Sequence, residues 1–191
     1  MPESSRSLFR RVRARLAALL LLPVLVGGLA ACSSGNDDEE KEAPQQERPV
    51  AASWQVDVAD LAGELTDAKK RKMQEQIVAT LTVYVDQALV AVPADDPFGS
   101  FTKNLAKRAK ADRDLLTSAG LGEVESVVPT ELTANLSVMA RKGVPAGATA
   151  IVRIGLDVDD TPVTLSGQLL LTPVGDQWKI FGYDLHREGT D

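Results

Sequence analysis

The chain has 191 residues, 21 of them basic and 27 acidic, with one cysteine and one histidine. An excess of acid argues against nucleic acid as a partner, because phosphate binding needs a basic face. A lone cysteine excludes an internal disulfide, and with a lone histidine no metal-ligand spacing exists, so the composition calls for no cofactor and no metal.

The first fifteen residues carry Arg6, Arg10, Arg11, Arg13 and Arg15 against the single acid Glu3, and an apolar run follows from Leu16 to Ala31. That run falls short of the roughly 20 residues a spanning helix needs, and Pro23, Gly27 and Gly28 weaken it further. A basic start, a short apolar stretch and small residues at its end are the marks of an export signal, here residues 1–31. The segment closes as Leu29-Ala30-Ala31-Cys32-Ser33, which resembles the lipobox of bacterial lipoproteins. The resemblance implies a diacylglyceryl group on the Cys32 sulfur and cleavage between Ala31 and Cys32. It also implies an extracytoplasmic chain whose first partner is the membrane, reached through that lipid. A thiolate suits this chemistry as the strongest nucleophile among common side chains. Arg10-Arg11 raises twin-arginine export, but Arg13 and Ala14 stand where apolar residues belong, which favours the general secretory route.

The export segment holds five of the basic residues and one of the acidic ones, leaving sixteen and twenty-six, a net of −10. So acidic a chain is not expected to lie flat on anionic lipid. Residues 32–50 read as a lipidated tether: Ser33 to Val50 has six acids, two bases and two prolines, with almost nothing to bury. As a flexible coil its ends would sit roughly 20–25 Å apart. Residues 51–191 then form one domain, long enough for a core of its own.

Within it, Trp54, Val56 and Val58 alternate with polar neighbours as a short strand. Thr66 sits at a helix N-cap, and Met73, Ile77, Leu81, Tyr84, Ala88 and Val92 form an apolar stripe, widened by Val78, Val85 and Leu89. The stripe predicts a helix of about 25 residues ended by Pro93. A loop holding Phe98, Gly99 and Phe101 leads to a second helix over about Lys103 to Ser118, stopped by Gly120 and Gly122. The period then becomes two, through Leu132–Ala140, Ala150–Val158, Val163–Leu171 and Trp178–Leu185, with turn residues between the runs. An antiparallel meander of about four strands is expected, wet on one face, with Val124–Val128 as a further short strand. Gly155, Gly167 and Gly182 fall near the middles of successive strands, which predicts a sheet curled around the long helix.

Helices followed by a curved antiparallel sheet resemble the nuclear-transport-factor-2-like and cystatin-like α+β domains found in exported actinobacterial proteins. The closing hairpin carries the likeness, Gly175-Asp176-Gln177-Trp178-Lys179-Ile180 then Gly182-Tyr183-Asp184. The resemblance implies a cone-shaped fold. It selects no activity, because domains of this kind include enzymes, binding modules and structural parts.

Few residues offer chemistry. His186 lies near the end of a strand with Asp184 two residues away; the Asp–His reading competes with that of a surface histidine. Asp157, Asp159 and Asp160 bracket a turn but place Pro162 and Gln168 where a calcium loop requires Gly and Glu. Lys69-Lys70-Arg71-Lys72 opens the long helix against its dipole, either as a solvated end or as a contact for lipid head groups or an anionic wall polymer. Phe98 and Phe101 serve either as a lid over the cone or as anchors packing their loop. With Tyr84 and Trp178 they make the candidate pocket. The inward residues Leu136, Val152, Ile154, Leu165, Leu169, Ile77, Leu81 and Tyr84 carry no charge, and a largely filled core is expected. The expected function is a non-catalytic interaction or accessory module of the cell envelope, with an envelope protein as its partner. A carrier or sensor of a small apolar ligand or lipid is the alternative, and an enzyme of the resembled superfamily the third.

Overall fold

The structure, a computed structural model, describes residues 52–91 and 95–188. The segments read as an export signal, a lipobox at Cys32 and a tether, and Pro93 at the expected helix end, lie outside the described residues. The domain is α+β, with one open mixed sheet of five strands and a few helices.

Strand β1, Gln55–Ala62, leads into helix α1, Asp67–Tyr84. Thr66 caps α1: its backbone is extended and its side chain accepts from the Lys69 amide at 3.4 Å. The helix runs on through a π-helical turn, Val85–Val90. The predicted stripe is the buried face, with Met73, Ile77, Leu81, Tyr84, Ala88 and Leu89 all at 1% exposure or less.

The single second helix expected over Lys103–Ser118 is instead three short pieces: α2, Lys103–Arg108; α3, Arg113–Leu116; and a 3₁₀ turn, Ser118–Leu121. Alanine-rich propensity yields here to tertiary contacts. Ala109 is fully buried, and the Tyr183 hydroxyl donates to the Asp112 carboxylate at the break.

Strands β2, Val127–Arg141, β3, Val144–Val158, β4, Thr161–Val174, and β5, Gln177–Glu188, form the antiparallel meander. Two expectations are corrected. The sheet has five strands and is mixed, because β1 adds to the β2 edge in parallel. The Val124–Val128 segment is no separate strand, since β2 itself begins at Val127. An α-helical crossover from β1 into the following strands makes the parallel pairing possible.

Gly155 and Gly182 mark places where the sheet departs from regular pairing, whereas Gly167 pairs regularly with Val152 and Leu185. Thr130 is unpaired in β2 opposite Gly155, and Phe181 is unpaired in β5 beside Gly182. Such bulges bend a strand and increase its twist. Gly167 has φ +135°, and a Cβ there would stand 2.1 Å from the Asp184 carbonyl oxygen, so no other residue fits without moving β5. The outer edge of β5 is partly covered by the loop before α2, where Thr102 N donates to Ile180 O (2.8 Å) and Ile180 N to Ser100 O (3.0 Å).

Candidate functional site

One face of the sheet is closed. Leu136, Val152, Ile154, Leu165 and Leu169 point from it toward Ile77, Leu81 and Tyr84, and all eight are at 2% exposure or less. Of the four candidate pocket residues, three pack on one another: the ring centroids of Tyr84 and Phe101 lie 5.6 Å apart and those of Phe98 and Phe101 5.3 Å apart. Phe98 and Phe101 thereby anchor their loop. The Tyr84 hydroxyl donates to Leu116 O at 3.2 Å, and burial pushes its ionisation well above the ordinary range. Arg187 closes the same corner, donating to Gly120 O and Thr117 O at 2.8 Å and to Leu115 O at 3.3 Å. A cation is well placed against carbonyls at the end of a helix, although burial lowers the Arg187 pKa.

Trp178 behaves differently. It is buried, but it lines two shallow grooves between α1 and the β4–β5 hairpin, of about 300 and 260 Å³. The first is also lined by Thr80, Lys179 and Ser100. Thr80 and Lys179 are engaged: the Thr80 hydroxyl donates to Trp178 O at 3.0 Å, and Lys179 Nζ to Gly99 O at 2.8 Å. The Ser100 hydroxyl, on a residue only 2% exposed, has no partner.

The opposite face of the sheet is open and holds the main polar cluster. Cross-strand register sets Thr133, Arg153, Ser166 and His186 in one row over four strands. Arg153 Nε meets Glu131 at 3.3 Å, and its Nη1 reaches both Glu188 carboxylate oxygens at 2.9 and 3.0 Å. The Ser166 hydroxyl donates to Glu188 at 2.8 Å and lies 3.1 Å from His186 Nε2. The Ser166 hydroxyl and then Arg153 hold the Glu188 carboxyl below the ordinary value of 4.5.

This arrangement has the residue types of a nucleophilic triad but runs its protons the wrong way. A serine has one proton, and here it goes to the carboxylate, so His186 Nε2 must donate to Ser166. Activation of a serine requires the reverse, with the acid on the other ring nitrogen. His186 is exposed and bonds to Ser166 rather than to Asp184, two residues along the same face.

The aspartate turn is structural. Asp159 accepts from the Glu125 amide at 3.1 Å and the Ser126 amide at 2.9 Å, tying the β3–β4 turn to the start of β2. Among the described residues no group of three or more His, Cys, Asp and Glu side chains is placed to hold a metal ion. Glu131, Arg153, Ser166 and Glu188 were missed as a cluster from sequence. The two-residue turn at Asp159-Asp160 was the available signal, because it sets Arg153 opposite Ser166. No protein-family model, curated protein or solved structure matches this chain.

Proposed function

We propose that this chain is an exported lipoprotein, anchored through lipid on Cys32, whose domain is a non-catalytic interaction module of the cell envelope. In fold the domain is read as a relative of the nuclear-transport-factor-2-like and cystatin-like cones, extended by a parallel edge strand. The order of helices and then meander supports that kinship.

The observation that carries the functional reading is the open sheet face. It presents a pre-ordered row of hydrogen-bonded polar side chains next to Ile151, a large apolar residue left 54% exposed at the centre of the sheet. Rigid strands hold such a surface in place before a partner arrives, which lowers the cost of association. A photo-crosslinking residue at position 151, in cells, tests this. The expected result is one dominant adduct with an envelope protein, lost in Arg153→Glu and not formed from position 83 on the exposed side of α1. Equal, diffuse labelling from both positions would sink the reading.

The carrier reading draws on one feature, the unpartnered Ser100 hydroxyl beside the Trp178 groove. A ligand with an apolar body and one hydrogen-bonding group is its chemistry. Native mass spectrometry of protein from its own cells decides it, and a stoichiometric ligand lost in Ser100→Ala would favour the carrier.

A further inference from the structure

The geometry points to one pole of the domain, built from the start of α1 and the tips of the β2–β3 and β4–β5 hairpins, as a docking surface for an anionic lipid bilayer. This goes beyond the anchored-module reading and does not depend on the lipid at Cys32. Lys69, Lys70, Arg71 and Lys72 open α1 where the helix dipole disfavours them. Lys69 Nζ donates to the Gly143 carbonyl, which holds the β2–β3 tip against the helix and adds Arg141 and Lys142 to the same end. Lys142 sits in the left-handed region at φ +53° in the two-residue turn with Gly143, a position that favours Gly or Asn. Its cation is thus carried at the very tip. Among the described residues Glu64, Asp67, Glu75 and Asp176 lie at or beside this end, four acids against six cations.

The other pole is the reverse, with Glu123, Glu125, Asp157, Asp159 and Asp160 around one depression. Strands of 12 to 15 residues separate the two, about 40–50 Å at roughly 3.3 Å per residue. That is several screening lengths at physiological salt. The acids of the far pole therefore oppose docking on the side of the domain more than docking on its basic end.

Apolar residues at the basic pole choose between a soluble polyanion and a bilayer. Val144 and Val174, on the two hairpins, are 56% and 52% exposed. A cleft of about 260 Å³ has Lys69 and Lys72 on one side and Val144, Pro145 and Pro173 on the other. A polyanion in water has use for the cations alone. A bilayer interface takes both, phosphodiester head groups meeting the cations and the acyl boundary taking the valines. The chain enters β1 at the acidic pole, where Ala52 N donates to Pro129 O at 3.3 Å. The chain thus joins the domain at the end opposite its basic pole.

The chain purified from its own membranes is floated with neutral phosphatidylcholine vesicles, which tests the anchor alone. Vesicles containing about 30% phosphatidylglycerol are then added and adhesion is read by light scattering. Expected is adhesion that fails at high salt and weakens roughly fivefold for each cation lost among Arg71→Gln, Lys72→Gln, Arg141→Gln and Lys142→Gln. Val144→Ser with Val174→Ser should cost roughly tenfold. These six positions are exposed, and an unchanged melting temperature certifies the fold. Equal adhesion to neutral vesicles, or an unchanged cation variant, would overturn the proposal. So would cation-dependent binding of soluble polyphosphate with no effect of the valine changes, which marks a polyanion site instead. If the chain does not float with neutral vesicles, the anchor reading has failed. The same chain, added free to the anionic vesicles, then tests the pole by itself.

Discussion

Strand β3 passes through both worlds of this domain within four residues. Ile154 points into the helix-covered face and has no exposure, while Ile151 points out of the open face and is 54% exposed. The inner face is held by apolar burial and, apart from the Tyr183–Asp112 bond, by hydrogen bonds that terminate on backbone, as from Tyr84 and Arg187. On the outer face, side chains bond to one another across strands, from Glu131 to Glu188. The difference separates what makes the fold from what the fold displays, and it predicts where stability and interaction reside.

The sharpest way to break that comparison is within β3 itself. Ile154→Ala is expected to cost about 2–5 kcal/mol in urea unfolding, as a truncation in a packed core. Gly167→Ala should follow at about 2–3 kcal/mol, because the added Cβ meets backbone across the strand at a left-handed φ. Tyr84→Phe removes only a hydroxyl, but leaves the Leu116 carbonyl unpaired inside the protein, for about 1–3 kcal/mol. Ile151→Ala should fall within about 0.5 kcal/mol of the parent. A cost at Ile151 as large as that at Ile154 would show that the two faces are not different in kind.

The smallest expected effect is on pH dependence. The Glu188 carboxyl is held below 4.5 in the folded chain. Its contribution is therefore fully present above pH 4.5 and is lost as pH falls through the folded value. Glu188→Gln should flatten that part of the acid limb while leaving neutral stability nearly unchanged. On the alkaline side, burial and then the Asp112 contact push the Tyr183 phenol up to about 12. Stability should fall as pH rises from 10 toward 12, and Tyr183→Phe should lessen the fall. Both are read from melting temperatures across pH, and an unchanged slope in either variant would remove that group from the account.

Much of the inner face was legible in the sequence, because period alone identifies it: the α1 stripe and the inward residues of β2, β3 and β4 are the buried ones. Less legible was anything decided by contacts between distant segments. The pairing of β1 with β2 is parallel and separated by two helical regions, so no local turn announces it. The break at Asp112 depends on Tyr183, far along the chain. The outer cluster depends on register, which a two-residue turn sets and a single bulge resets. The basic pole was visible only as its first half, Lys69 to Lys72, until the Lys69–Gly143 contact brought the hairpin tip to it.

The most direct test of the central claim is mass spectrometry of the N-terminus of the protein taken from its own membranes. An exported lipoprotein predicts a chain that begins at Cys32, with the diacylglyceryl mass on that residue, and a Cys32→Ser form that lacks it and leaves the membrane fraction. A membrane-bound product that still carries residues 1–31, or an unmodified Cys32, would contradict it.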